Sequence, residues 1–192
     1  MSGLVPVKKQ FGLYIRNGRW NCRKDDKTIL QFDAIVGTIE YVAVKKVTPT
    51  EDQDFKEYDA LKILVENGEE QYFLSMNAAF STASNFFNAL PLIDPKHQVK
   101  FIAYTGDNNF DALKLEQHGL RIANYYTKAD PKGKPQWVKT PNGFDKTEEL
   151  EFFKASVYHF MERLRKSKST LPTETTTETN FNPAEGFDMP NW

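Results

Sequence analysis

Apolar and polar residues alternate from Phe11 to Lys24, in FGLYIRNGRWNCRK. A period of two is the mark of a half-buried strand. Asn17-Gly18 in its middle favours a type I′ hairpin turn. A two-residue turn pairs Arg16 with Arg19, Tyr14 with Asn21 and Ile15 with Trp20. Cross-strand partners share a face. Phe11, Leu13 and Ile15 therefore form a core row, and Tyr14, Arg16, Arg19 and Arg23 form a polar, cationic face carrying a ring. Trp20 falls on the apolar side in this register, and a one-residue slip would turn it outward.

Thr28–Val47 is β-rich, and Gly37 inside it predicts a bulge or sharp bend. Thr48–Lys56 reads as a polar loop. Tyr58–Val65 and Gln71–Met76 make a second hairpin, with Asn67-Gly68 supplying the turn. Asn77–Leu90 carries Ala79, Ala83, Phe86, Phe87 and Leu90 at helical spacing, which predicts an amphipathic helix capped by Asn77. Gln98–Tyr104 and Leu120–Tyr126 read as strands, with a strand start near Leu113–Gln117 between them. Ala129–Pro141 is rich in Lys, Pro and Gly and reads as a loop. Thr147–Lys168 is a second helix with Leu150, Phe153, Val157, Phe160, Met161 and Leu164 on one face. Acids at its start and bases at its end suit the helix dipole.

This order predicts a mainly β fold with helices. Its specific form is an OB-like five-stranded barrel with an N-terminal hairpin, an inserted helix and a C-terminal helix. Residues 1–146 form the barrel, 147–169 the helix that packs on it, and 170–192 a tail. The Thr-rich tail cannot bury enough apolar area to offset chain entropy, which predicts disorder.

Composition refines this picture. The chain has 192 residues, 40% of them hydrophobic and 14% aromatic, more rings than a core alone needs. The net charge of −1 hides an asymmetry. Residues 170–192 hold four acids and no Lys or Arg, which leaves 25 bases against 22 acids, or +3, on residues 1–169. One cysteine, Cys22, excludes an internal disulfide and fits a reducing cytoplasm. No apolar run approaches the roughly 20 residues of a membrane span, and Met1–Gln10 lacks a signal-peptide core.

Two clusters interleave cations with rings. The first is Lys8, Lys9, Tyr14, Arg16, Arg19, Trp20, Arg23, Lys24 and Lys27; the second is Tyr125, Tyr126, Lys128, Lys132, Lys134, Trp137 and Lys139. Sequence-tolerant binding of a single strand needs both ingredients, cations for phosphates and rings on which bases stack. Enzyme chemistry has no comparable pattern. His97, His118 and His159 lack metal-ligand spacing, and there is no phosphate loop or nucleophile elbow. Asp52, Asp54, Glu57 and Asp59 are the acids a magnesium-dependent nuclease would use, and they read as a solvated loop. Cys22 lies among cations that would lower its pKa, yet reads as a structural thiol. The expectation is a binding protein without catalytic residue, metal or cofactor.

The last residues are Gly186-Phe187-Asp188-Met189-Pro190-Asn191-Trp192. Phe187, Asp188, Met189, Pro190 and Trp192 resemble the C-terminal tip of bacterial and phage single-stranded-DNA-binding proteins. With the basic-aromatic clusters before it, the whole layout resembles a phage-type protein of that family. The resemblance implies an OB-fold protein that coats and protects single-stranded DNA, with RNA a further possible ligand, in replication, recombination or repair. It also implies a tail that recruits partners such as a DNA polymerase, and a place in the host cytoplasm if phage-encoded. The competing classes are a structural or virion-associated β-module that contacts only proteins, a nuclease, and a carbohydrate-binding barrel.

Overall fold

The computed structural model describes residues 8–24, 27–48, 57–107, 109–141 and 143–169. The fold is mainly β with helices. β1 (Lys9–Arg16) and β2 (Arg19–Arg23) form the first hairpin in the expected register, with Arg16 opposite Arg19 and Ile15 opposite Trp20. Asn17 and Gly18 take φ of 54° and 69°, as a type I′ turn requires. β3 (Ile29–Phe32) extends the hairpin by pairing with β2.

β4 (Ala34–Val47) is the longest strand and changes partners along its length. Ala34–Gly37 pairs with β7 (Val99–Thr105), and Thr38–Val47 with β5 (Tyr58–Asn67). The register shifts between Ile39 and Tyr41, so the bulge lies at Glu40, three residues beyond Gly37. Gly37 serves a different need. A Cβ there would lie 2.3 Å from the Glu66 carbonyl, so glycine lets the end of β5 cross close to β4.

β6 (Glu70–Asn77) pairs antiparallel with β5 and parallel with β1. The β5–β6 turn is Gly68-Glu69, one residue later than expected, because Asn67 still pairs with Glu70. Positive φ at Gly68 alone, in the first turn position, matches type II′. α1 (Ser81–Ala89) begins four residues after Asn77. Asn77 is therefore no helix cap: it ends β6, and its Oδ1 accepts from the Ala79 N–H at 2.9 Å. One 3-10 turn, Leu90–Leu92, follows the helix.

β8 (Asp111–Gln117) pairs with β7 from Asp111 to Glu116. His118-Gly119, both at positive φ, turn the chain into β9 (Leu120–Arg121), and the expected strand Leu120–Tyr126 stops there because the chain beyond Ile122 passes to α1, where the Tyr125 N–H bonds the Asn88 carbonyl. The end of the expected 129–141 loop is ordered as β10 (Val138–Thr140), which pairs with β11 (Gly143–Asp145). α2 (Thr147–Ser169) starts where Asp145 Oδ1 accepts from both the Thr147 N–H and its hydroxyl.

Among the described residues the large sheet runs β3-β2-β1-β6-β5-β4-β7-β8-β9, nine strands, and curls into a half-barrel. The curl is visible at Trp20 of β2, whose Nε1 donates to the Phe101 carbonyl of β7 at 3.0 Å although the two strands are far apart in the order. The concave side holds the core. Phe86 of α1 stacks on Phe101, and Phe153 of α2 stacks on Phe87 at 4.4 Å between ring centres. Val157, Phe160 and Leu164 continue the buried face of α2, while Leu150 and Met161 sit at its margin. No described helix is long and apolar enough to cross a membrane.

Candidate nucleic-acid interface

Strand alternation builds the first cluster as expected on its polar side. Tyr14, Arg16, Arg23 and Lys24 are exposed, as is Lys9. Arg19 is exposed too, and is held by Asp33 at 3.3 Å. Asn21 lies beneath this face, buried, with its amide donating to the Arg16 and Arg19 carbonyls at 3.1 and 2.8 Å and accepting from Gln31. It ties the two arms together at the turn. Lys8 is spent on Glu66 at 2.6 Å.

Trp20 is a correction. It is 0% exposed and hydrogen-bonded to β7, so it cannot stack on a base. Cys22 is buried beside it, and burial pushes its thiol pKa up against the opposing pull of the Gly12 backbone and Lys24. It is a packing residue.

The second cluster is divided between structure and surface. Tyr126 is buried edge-on against Phe152, and Tyr125 meets it edge-on. The Tyr125 N–H donates to the Asn88 carbonyl at 2.7 Å, which straps this segment to α1. Lys134 points inward and pairs with Glu149 of α2 at 2.9 Å, their side chains only 15% and 6% exposed. Tyr126 and Lys134 are thus removed from the candidate interface. Lys132 is occupied by Asp130 at 2.6 Å and lies over the Tyr125 ring. Lys128 and Lys139 are exposed. Trp137 is 47% exposed; its Nε1 donates to Glu149, and the Lys146 ammonium sits 4.2 Å from its ring centre.

Four hydrogen-bonded or ring contacts connect what remains. The Gly18 N–H donates to Asp111 Oδ1 at 2.7 Å, and the Ser81 hydroxyl donates to the Asp111 carbonyl at 2.9 Å. Lys146 donates to the Ala79 carbonyl at 2.8 Å, and Trp137 lies 5.7 Å from Phe144. Gly18 also packs so tightly that a Cβ would lie 2.5 Å from Thr105 Oγ1. The hairpin tip, the β7–β8 turn, the start of α1 and the β10–β11 hairpin therefore share one rim. Tyr104, Phe110, Phe80 and Phe144 are exposed on it, Phe110 by 70% and Phe80 by 63%. Sequence reasoning missed these four and Lys146. Each stands alone in its own segment, and the one local signal is a ring beside a turn.

Of the acidic run, Glu57 bonds Lys46 and Thr48, and Asp59 pairs with Lys154. The Lys46 contact holds the Glu57 carboxyl below its ordinary pKa. Asp52 and Asp54 lie outside the described residues, as do Phe187, Asp188, Met189, Pro190 and Trp192 of the tip. Among the described residues no group of three His, Cys, Asp or Glu is placed to hold a metal ion. The chain matches no protein-family model, no curated protein and no solved structure.

Proposed function

We propose that this protein binds single-stranded nucleic acid without catalysis, along the outer face of the β1–β2 hairpin and the ring-bearing rim beside it. The observation that carries the reading is that rim. Exposed rings at the β7–β8 turn (Tyr104, Phe110), before α1 (Phe80) and around the β10–β11 hairpin (Trp137, Phe144) lie on segments tied to one another and to the β1–β2 turn, which Arg16 and Arg19 flank. Solitary exposed rings are ordinary on a protein surface, but a contiguous group marks an interaction site. Rings next to arginines suit bases and phosphates together.

The fold we assign to this function is an OB-like core of β4–β8. The supports are a long bulged strand shared by two partners, a hairpin, a helix, and a second hairpin, in that order. In this reading the N-terminal hairpin occupies the edge of β6 where a closing strand would pair. The protein coats single strands, phage-type DNA being the first candidate, and the tip Phe187–Trp192 engages a replication partner such as a polymerase.

A fluorescence titration with oligo-dT at two salt concentrations tests the reading. With about five phosphates neutralised, log K against log salt should have a slope of about −3.5, from roughly −0.7 per contact. A flat salt response, or equal affinity for duplex, would sink it. Removing residues 170–192 should raise affinity at low salt, because the four tail acids compete for the same cations.

A further inference from the structure

The outer face of the large sheet carries a pair of cations that no described carboxylate neutralises. On β5, Leu61, Ile63 and Val65 point into the core and are fully buried, so Lys62 between them points outward. It stands opposite Ala43 on β4 and Ser75 on β6. Its Nζ donates to Ser75 Oγ at 2.8 Å. Lys45 stands opposite Ala60, two residues from Lys62, and so lies on the same face one diagonal step away.

Both lysines are partly buried. The acids nearby in the chain are engaged elsewhere: Glu57 with Lys46 at 3.0 Å, Asp59 with Lys154 at 3.6 Å and Glu66 with Lys8 at 2.6 Å. Burial, and then the charge of Lys45, hold the Lys62 ammonium below the usual lysine pKa. A half-buried cation beside a like charge costs stability, and a methionine or leucine would fill the same surface without that cost. An ammonium has three donors, of which Ser75 takes one. The remaining Lys62 donors lie beside the serine hydroxyl, and Lys45 is near enough for its charge to act on Lys62.

We infer that Lys62, Lys45 and Ser75 form a phosphodiester-binding site on the outer sheet face. The inference rests on the nucleic-acid reading and assigns the path of the strand. Leu13 pairs with Leu74, so the next residues along the parallel strands, Tyr14 and Ser75, lie side by side on this face. A base stacked on Tyr14 delivers its phosphate toward Lys62, and the strand runs across β1, β6, β5 and β4 instead of following the hairpin alone.

The test is Lys62→Met and Lys45→Met in the full chain, titrated with oligo-dT over a range of salt. Each variant should flatten the log–log salt slope by about 0.7, one lost phosphate contact. The free Lys62→Met protein should melt at or above the wild-type temperature. A wild-type protein that binds steeply while Lys62→Met keeps its slope overturns the site and leaves the nucleic-acid reading standing. A fall in melting temperature for Lys62→Met overturns it too, since the ammonium would then be a structural group. If the wild type ignores oligo-dT, the nucleic-acid reading fails, and inorganic tripolyphosphate decides the site. A saturable shift of the Lys62 side-chain NMR signal, lost in Lys45→Met, supports an anion site; no shift overturns it.

Discussion

The N-terminal hairpin and the segment from Tyr125 to Lys139 look alike as strings of letters, and the fold treats them in opposite ways. Both interleave rings with cations. In the hairpin the period of two sorts them: Trp20 goes to the core, and Tyr14, Arg16 and Arg19 go to solvent. In the later segment there is no period. Packing decides residue by residue, so Tyr126 and Lys134 are consumed by α2 while Trp137 and Lys139 stay outside. A regular strand lets a face be read from the chain; a loop gives no such rule until its anchor is known.

Substitutions should separate the two halves of each region, and the largest effect belongs to Trp20. Trp20→Ala should cost about 3–5 kcal/mol of stability by cavity formation, with the bond to the Phe101 carbonyl lost besides. Tyr14→Ala, on the opposite face of the same hairpin, should leave the melting temperature unchanged and weaken oligo-dT binding by about 1–3 kcal/mol. Denaturant melts beside titrations check both. If Tyr14→Ala unfolds the domain, or Trp20→Ala spares it, the sorting by face is wrong.

The later segment should divide by anchor instead. Lys134→Ala strands the buried Glu149 carboxylate with only the Trp137 indole as donor, which should cost about 3 kcal/mol. Lys139→Ala, on an exposed residue two positions after Trp137, should change stability by less than about 0.5 kcal/mol. Equal melting temperatures for the two variants would mean that the 134–149 pair does not hold the segment.

The same contrast explains what could be read from the chain beforehand. The hairpin register followed from Asn17-Gly18, because that turn type admits few sequences. The second turn lies one residue later than Asn67-Gly68 implies, because Gly68 can serve either as the second residue of a type I′ turn or the first of a type II′ turn. Asn77 looked like a helix cap because an asparagine side chain that accepts from the N–H two residues on does so in a bend as readily as at a helix start. The strand expected over Leu120–Tyr126 ends early for a reason that hydrophobic pattern does not reveal: the Ile122 N–H still bonds the Leu115 carbonyl of β8, but by Tyr125 the backbone N–H is bonded to Asn88 of α1. The rim was illegible for another reason. Phe80, Phe110 and Phe144 lie about thirty residues apart, and only the bonds through Asp111 and Ala79 bring their segments together.

The smallest effects come from pH, and they should strike the two regions at opposite ends of the scale. Tyr72 of β6 stacks on Phe11 of β1 at 5.6 Å, so it sits on the seam that holds the hairpin. Burial, and then its bond to Glu70, push its pKa up from 10.0 to about 12. A raised folded-state pKa means the contribution is whole below about pH 10 and is lost as pH climbs through about 12. The later segment and the β10–β11 hairpin that follows it carry the reverse case. Lys132 hydrogen-bonds Asp130, and Thr147 hydrogen-bonds Asp145, so both carboxyls sit below the ordinary aspartate range. Their contribution is whole above about pH 4 and fades as pH falls below it. The tryptophans report on each region separately, Trp20 in the hairpin and Trp137 between the two aspartates. In a Trp192→Phe background, alkali should red-shift Trp20 emission first, and Tyr72→Phe should remove that lead. Acid should move Trp137 first, and Asp130→Asn with Asp145→Asn should remove that one. If both indoles move together at both ends of the scale, the hairpin and the 125–139 segment open as one cooperative unit, and their difference is confined to which side chains face solvent.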